Sequence, residues 1–191
     1  MTFLETPLQG AFVIQLSPFN DERGAFSRLF CENEFQSIGF NKKIVQINHS
    51  LTRQKGAIRG LHFQKLPHGE VKIVKCIRGK VFDVMVDIRQ NSKTFLQWFG
   101  IELLPEANNA VLIPEGFAHG FQALKSNSEL LYFHTAFYVP NTPDVSGQVE
   151  GGLRYDDPKL NINWKLPVTE ISERDKNHLL LDETVSANLF A

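Results

Sequence analysis

The sequence predicts an all-β sandwich or barrel. Three observations carry this: the apolar residues fall in short runs at near-regular spacing, Gly, Pro and Asn clusters punctuate the runs, and almost no helical period develops before the C-terminal stretch. The chain has 191 residues, 42% hydrophobic and 21% charged. That suits one domain with a sizeable core, placed at residues 1–181, followed by a loose C-terminal tail at 182–191.

Taken in order, Leu8 to Leu16 reads as a first strand, ended by Ser17-Pro18 and the turn-rich Asn20-Asp21-Glu22-Arg23-Gly24. Ala25 to Phe30 is a second short strand. Glu32 to Ile38 is the best early helix, because Phe35 and Ile38 lie three apart on one side and Gly39 stands at the C-cap position. Ile44 to Asn48 returns to strand, with Gln46 and Asn48 on one face. Further apolar runs follow at 57–64, 71–77, 81–88, 95–104, 110–113, 117–124 and 129–139. Arg78-Gly79 is placed as the two-residue loop of a tight hairpin, which sets Val74 opposite Asp83 and lets Lys72, diagonal to it, pair with that carboxylate. Pro140 to Gly152 is a polar loop. Near the end, Ser172-Glu173-Arg174-Asp175 is a capped helix start, with Ser172 as N-cap and Asp175 at N3.

Composition narrows the function classes. A formal net charge of −1 provides no general basic field, which disfavours duplex nucleic acid as a partner. Cys31 and Cys76 are too few for a disulfide framework and lie in no zinc-type cluster, so both are read as thiols in a reducing compartment. No run approaches 18 apolar residues, and the N-terminus lacks the charged start and apolar core of a signal peptide. The expectation is a soluble, cytoplasmic protein with neither membrane nor nucleic acid as a partner.

The stretch Ala57-Ile58-Arg59-Gly60-Leu61-His62-Phe63-Gln64 stands out, because an Arg and a His inside an apolar strand are costly unless paired or used. Strict alternation sends Arg59 and His62 to opposite faces; a bulge at Gly60 turns both the same way. Lys72 shares a face with Val74 and Cys76, His119 with Phe117 and Phe121, and Tyr132 with Leu130 and His134. A closed β fold can aim these five polar groups, Arg59, His62, Lys72, His119 and Tyr132, into one apolar-walled cavity. They have the parts for acid–base work: an imidazole, a phenol that donates a proton, and an ammonium that stabilises an oxyanion. Taken singly, each has a plainer reading. His62 and His119 can be hydrogen-bonded structural histidines, Lys72 can snorkel from an edge, Tyr132 can be a core tyrosine, and Asp175 can merely complement a helix N-terminus. His49, His68, His134 and His178 have no distinguishing context and are left as structural or surface groups. The absence of a His-x-His pair after Arg59 opposes a metal site of the kind small β-barrels use, and no metal or other cofactor is expected. Nor is there a glycine-rich phosphate loop, so side chains such as Arg23, Arg59 and Glu150 would have to hold any nucleotide.

Five segments in order, Asp21-Glu22-Arg23-Gly24, Gln46-Ile47-Asn48-His49-Ser50, Ile58 to Gln64, Val81 to Arg89, and Ile113 to Phe121, resemble the dTDP-4-dehydrorhamnose 3,5-epimerase family over about residues 3–180. The resemblance implies a metal-free, cupin-type β jelly roll with short peripheral helices. It also implies a homodimer and, as substrate, a nucleotide-linked 4-keto-6-deoxy sugar. It further implies His62 as general base, Asp175 as the carboxylate that orients it, Tyr132 as general acid and Lys72 as the cation at the keto oxygen. Arg23, Phe26, Arg28, Gln46, Asn48, Arg59, His119, Glu150 and Arg174 take binding positions, and Tyr138 that of an aromatic stacked on the base. Three departures bear on specificity rather than on the catalytic set. Arg28 stands where rhamnose-pathway members carry a glutamate, Phe133 replaces a lysine, and the loop from Val139 to Gly152 is long. Members that epimerise only C3 or only C5, or that take CDP- or GDP-sugars, stay open as alternatives. So does a cupin-like module that binds the sugar nucleotide without turning it over.

Overall fold

The computed structural model describes residues 1–140 and 149–181. At its start, β1 (Thr2–Glu5) and β2 (Phe12–Gln15) pair antiparallel. The apolar run from Leu8 to Leu16 is therefore not one strand. Thr6 and Ala11 close a turn through backbone hydrogen bonds, Gly10 takes φ 86°, and Leu8 and Ala11 are buried from the turn itself, so their hydrophobicity reflects core packing rather than strand period. An exposed hairpin of β3 (Phe19–Asp21) and β4 (Gly24–Phe26) spans the turn-rich stretch, and residues 27–30, expected as strand, lie outside it. The early helix forms as α1 (Glu32–Phe35) and a 3-10 turn (Gln36–Ile38), closed by Gly39 in the left-handed conformation.

The body is made of β5 (Gln46–Thr52), β6 (Ile58–Gln64), β7 (Lys72–Arg78), β8 (Val81–Asp87), β9 (Trp98–Leu103), β10 (Asn109–Ile113), β11 (Phe117–Ala123) and β12 (Ser128–His134). They form two sheets. One has the order β1-β2-β10-β7-β12-β5; the other has β6-β11-β8-β9, with β13 (Glu150–Gly152) added at the β6 edge. Eight strands that cross between two sheets in this order make a jelly roll. A short α2 (Glu173–Lys176) follows.

The expected hairpin at Arg78-Gly79 is corrected by this topology. β7 pairs with β10 and β12, whereas β8 pairs with β9 and β11, so the turn is a corner between sheets. Gly79, at φ 78°, is required for the turn, but turn chemistry reports a reversal and not which strands pair afterwards. The pairing of Lys72 with Asp83 fails with it: Lys72 joins Glu70 at 3.2 Å and Asp83 joins His119 at 2.8 Å.

Val74, Cys76, Val111 and Leu130 of the first sheet meet Val81, Met85, Phe117 and Phe121 of the second in the inter-sheet core. The outer faces are covered too, by Phe35 and Phe40 on one side and by Leu153, Leu160 and Leu181 on the other. This is why β8 is buried at every residue and shows no simple alternation. Along the inner face, β7 reads Cys76, Val74, Lys72, opposite Leu130, Tyr132 and His134 of β12. The interior passes from a dry end to a polar end, and the cavity opens at the polar end. No helix among the described residues is long and apolar enough to cross a membrane.

Candidate active site

The polar end of the roll holds a cavity of about 610 Å³ lined by Arg59, His62, Lys72, His119 and Tyr132, the five groups aimed there from sequence. Asn48, Tyr138, Glu150 and Arg174 line it as well. The bulge expected at Gly60 is present: His119 lies opposite His62 and Phe121 opposite Arg59, so one residue of β11 faces two of β6. Gly60 sits at φ 128°, and a Cβ there would come within 2.5 Å of the Gly120 Cα. Only glycine supplies both the backbone angle and the close approach.

His62 is held by Asp175, whose Oδ1 lies 2.7 Å from His62 Nε2 while Oδ2 accepts from the Gly60 amide at 3.2 Å. Asp175 reaches this place because Ser172 caps α2, its Oγ accepting from the Asp175 amide at 3.1 Å, a contact typically worth about 1 kcal/mol. Burial alone would raise the Asp175 pKa, but the bonds from His62, Gly60 and Ser172 outweigh it and hold the carboxyl well below the usual range. Arg174 stands 3.0 Å from His62 Nε2 and 2.9 Å from Glu150.

Tyr132 faces the same cavity. Burial, aided by the negative charge of Asp83, pushes its pKa far above the ordinary value, so the phenol stays protonated. Its hydroxyl lies 3.5 Å from Ser50 Oγ. Two histidines left without a role by sequence also belong here. His134 stacks on Tyr132, with rings 6.1 Å apart at 19°, and bonds to Glu70 at 2.6 Å. His178 sets its ring edge against His62 at 6.2 Å; burial, with the neighbouring His62, lowers its pKa. For His134, period-2 spacing from Tyr132 was the available signal. For His178 no local signal exists, since its position depends on where α2 docks. His62, Asp175 and His178 place ligand-type atoms within 4.8 Å of one another, but the Arg174 guanidinium puts a fixed positive charge against that cluster.

Gln46 lies beside the cavity, bonded to Asn48 at 3.1 Å and to the Tyr138 amide at 3.1 Å. Arg23, Phe26 and Arg28 are not brought there by their own chain. Arg23 pairs with Asp21 at 2.6 Å on the exposed hairpin, Phe26 is 78% exposed, and Arg28 bonds Glu34 in a separate recess of about 290 Å³. The tail at 182–191 and most of the long loop, residues 141–148, lie outside the described residues.

An all-β jelly roll with a histidine–aspartate pair, a neutral phenol and an ammonium around one pocket has the architecture of a cupin-type acid–base isomerase. Residues 5–183 match the family model for dTDP-4-dehydrorhamnose 3,5-epimerase, and the chain belongs to that family. It is 41% identical to the dTDP-4-dehydrorhamnose 3,5-epimerase of Methanothermobacter thermautotrophicus, covering 92% of this chain and 91% of that one. A dTDP-4-dehydrorhamnose 3-epimerase of Streptomyces niveus is 36% identical, over 95% of this chain and 84% of its own. The crystal structure of a dTDP-6-deoxy-D-glucose-3,5-epimerase from Legionella pneumophila, in complex with dTDP-4-keto-L-rhamnose, superposes with a TM-score of 0.86 at 35% identity. That alignment covers 94% of this chain and 92% of the other.

Proposed function

We propose that this protein inverts C3 and C5 of a dTDP-linked 4-keto-6-deoxy sugar by removing and returning protons on either side of the C4 ketone. The observation that carries the reading is the placement of His62, Tyr132 and Lys72 around one cavity large enough for a sugar. A proton α to a ketone is weakly acidic, so its removal needs a base on one face and a cation where enolate charge develops. His62 takes the proton, and Asp175 stabilises the imidazolium that results. Lys72 meets the oxygen charge. Tyr132, protonated throughout the working range, returns a proton from the opposite face and so inverts the centre. The Legionella structure in complex with dTDP-4-keto-L-rhamnose supports a dTDP moiety. Glu150, Arg174, Asn48, Gln46 and Arg59 serve as its binding groups, with Tyr138 against the base.

The active form in this reading is a homodimer, in a reducing cytoplasm that keeps Cys31 and Cys76 as thiols. Phe19 and Phe26 are 68% and 78% exposed on a hairpin that also carries Arg23, with Arg28 just after it. A second subunit would cover those rings and receive the two arginines at its own cavity. Mixing inactive Arg23→Ala and His62→Ala dimers under exchange should then restore about a quarter of wild-type activity, because half of the sites in the mixed dimers are intact. No recovery on mixing would reject the shared site.

The central experiment is incubation with dTDP-4-keto-6-deoxyglucose in deuterated water. Label should enter both C3 and C5. The Streptomyces niveus relative favours a second reading, inversion at C3 only, and label confined to C3 would establish it. Label with a CDP- or GDP-linked analogue but none with the dTDP sugar would make Arg28 a specificity change. No label with any of them would leave a binding module.

A further inference from the structure

Glu70 is a buried carboxylate at the entrance to β7 that the chemistry above does not use. Its side chain is 7% exposed, and it divides its two oxygens between two groups of the cavity wall: Oε1 to Lys72 Nζ at 3.2 Å, and Oε2 to His134 Nδ1 at 2.6 Å. Burial disfavours its charge, yet the His134 bond and the Lys72 charge more than offset this and keep it ionised. From His134 the contacts continue in one direction. Tyr138 N–H donates to Gln46 Oε1, Gln46 Nε2 to Asn48 Oδ1, and Asn48 Nδ2 to His134 Nε2 at 3.4 Å; His134 Nδ1–H then donates to Glu70. Every donor in this chain points toward Glu70, with His134 accepting at Nε2 and donating at Nδ1. The geometry is set by the sheet, since Lys72, His134 and Gln46 are direct cross-strand neighbours on β7, β12 and β5.

From this juxtaposition we propose that Glu70 and His134 are positioning residues. The buried carboxylate fixes the Lys72 ammonium at the place of the developing oxyanion. Through His134 it fixes the ring of Tyr132 and the amides of Asn48 and Gln46, so that the cation, the phenol and the binding amides are held as one unit. Each link is an ordinary hydrogen bond, but a chain of aligned donors ending on an anion in a low-dielectric wall is stiffer than its links taken separately. A lysine on its own four-carbon stem has three rotatable donors and no preferred site; Glu70 removes that freedom before the substrate arrives.

The inference rests on the role given to Lys72, and the test separates the two. Lys72→Met, Glu70→Gln and the double variant are compared for isotope-exchange kcat and KM, with thermal melting to confirm folding. Lys72→Met should lose about 10²–10³-fold in kcat, as for other oxyanion donors. Glu70→Gln should lose roughly tenfold in kcat with a smaller rise in KM through the amide branch, and the loss in the double variant should fall short of the product of the two single losses, because the part of the Glu70 effect that runs through the lysine is already gone. Multiplicative losses in the double variant, or a wild-type kcat in Glu70→Gln beside a crippled Lys72→Met, would overturn the positioning role. A wild-type rate in Lys72→Met would instead overturn the role of Lys72 itself. An independent arm uses His134. His134→Gln keeps a donor toward Glu70 and an acceptor toward Asn48, whereas His134→Phe keeps only the ring over Tyr132. The glutamine variant should retain the higher kcat; the opposite order would refute the hydrogen-bonded chain.

Discussion

His62 and His119 are cross-strand partners on β6 and β11, and each is bonded to an aspartate, at 2.7 and 2.8 Å. The pairs look alike and differ in what surrounds them. The His119 and Asp83 side chains are 5% and 0% exposed, and Asp83 comes from β8, the strand next door. The His62 side chain is 25% exposed, and its aspartate comes from α2, 113 residues along the chain. One pair is built within a sheet, with the His119 ring at the cavity wall; the other is assembled at the mouth of the cavity from distant segments. The pair within the sheet shapes the field, its aspartate helping to keep Tyr132 protonated. In the proposed function the open pair is the one that takes the substrate proton. The two pairs share their chemistry and differ in burial and in the element that delivers the carboxylate, and on the proposed function that difference separates scaffold from reaction.

The strongest way to break this comparison is to remove each histidine. His62→Ala should lower isotope exchange by about 10²–10⁴-fold, the usual contribution of a positioned base, with a smaller loss of melting temperature than in His119→Ala, since Asp175 keeps its Gly60 and Arg174 partners. Retained exchange in His62→Ala together with its loss in Tyr132→Phe would reverse the assignment of base and acid. His119→Ala should act mainly on stability. It leaves the Asp83 charge buried without its partner, a defect that costs about 3–5 kcal/mol and is read from denaturant midpoints. Equal stability losses in the two variants would erase the distinction between scaffold and reactive pair.

Smaller effects sharpen it. Asp175→Asn keeps the hydrogen-bonding shape beside His62 but loses the charge that stabilises the imidazolium, so exchange should slow by a factor equivalent to about 2–5 kcal/mol. Tyr132→Phe should let exchange persist while net inversion fails, because the base still forms the enolate but the opposite face has no proton donor; product analysis beside label incorporation reads the difference. The smallest effect is on acid stability. The Asp175 pKa is lowered on folding, so its contribution is fully present above the ordinary carboxylate value of 3.8 and is lost only as pH falls below it toward the folded value. Asp175→Asn should therefore flatten the stability profile below about pH 4 and leave its shape unchanged near neutrality.

Much of this was legible before any coordinates. The seven apolar runs from residue 57 onward each hold a strand, six of them within about three residues of the expected bounds and the last ending at His134, five residues early; the cap at Ser172 and the glycine stop at Gly39 are in place, and the Gly60 bulge turns Arg59 and His62 into one cavity. These features are local. Period-2 spacing, a capping hydroxyl and a glycine each act within a few residues, so a linear reading reaches them.

What only the tertiary structure decided was partnership. Whether β7 pairs with β8 depends on which sheet each joins, and Gly79 serves a hairpin and a corner equally well. The carboxylate beside Lys72 is therefore Glu70, two residues before it, rather than Asp83 across a hairpin that does not exist. His134 shared a face with Tyr132 in the sequence and His178 had no signal at all; neither was given a role because their neighbours, Glu70 and His62, are supplied by packing at a sequence separation of 64 residues in the first case and by the docking of α2 in the second. Residue type and spacing fix which face a side chain takes. The folded topology alone fixes what it meets there, because contact free energy is settled between segments that the chain brings together only when both sheets have closed.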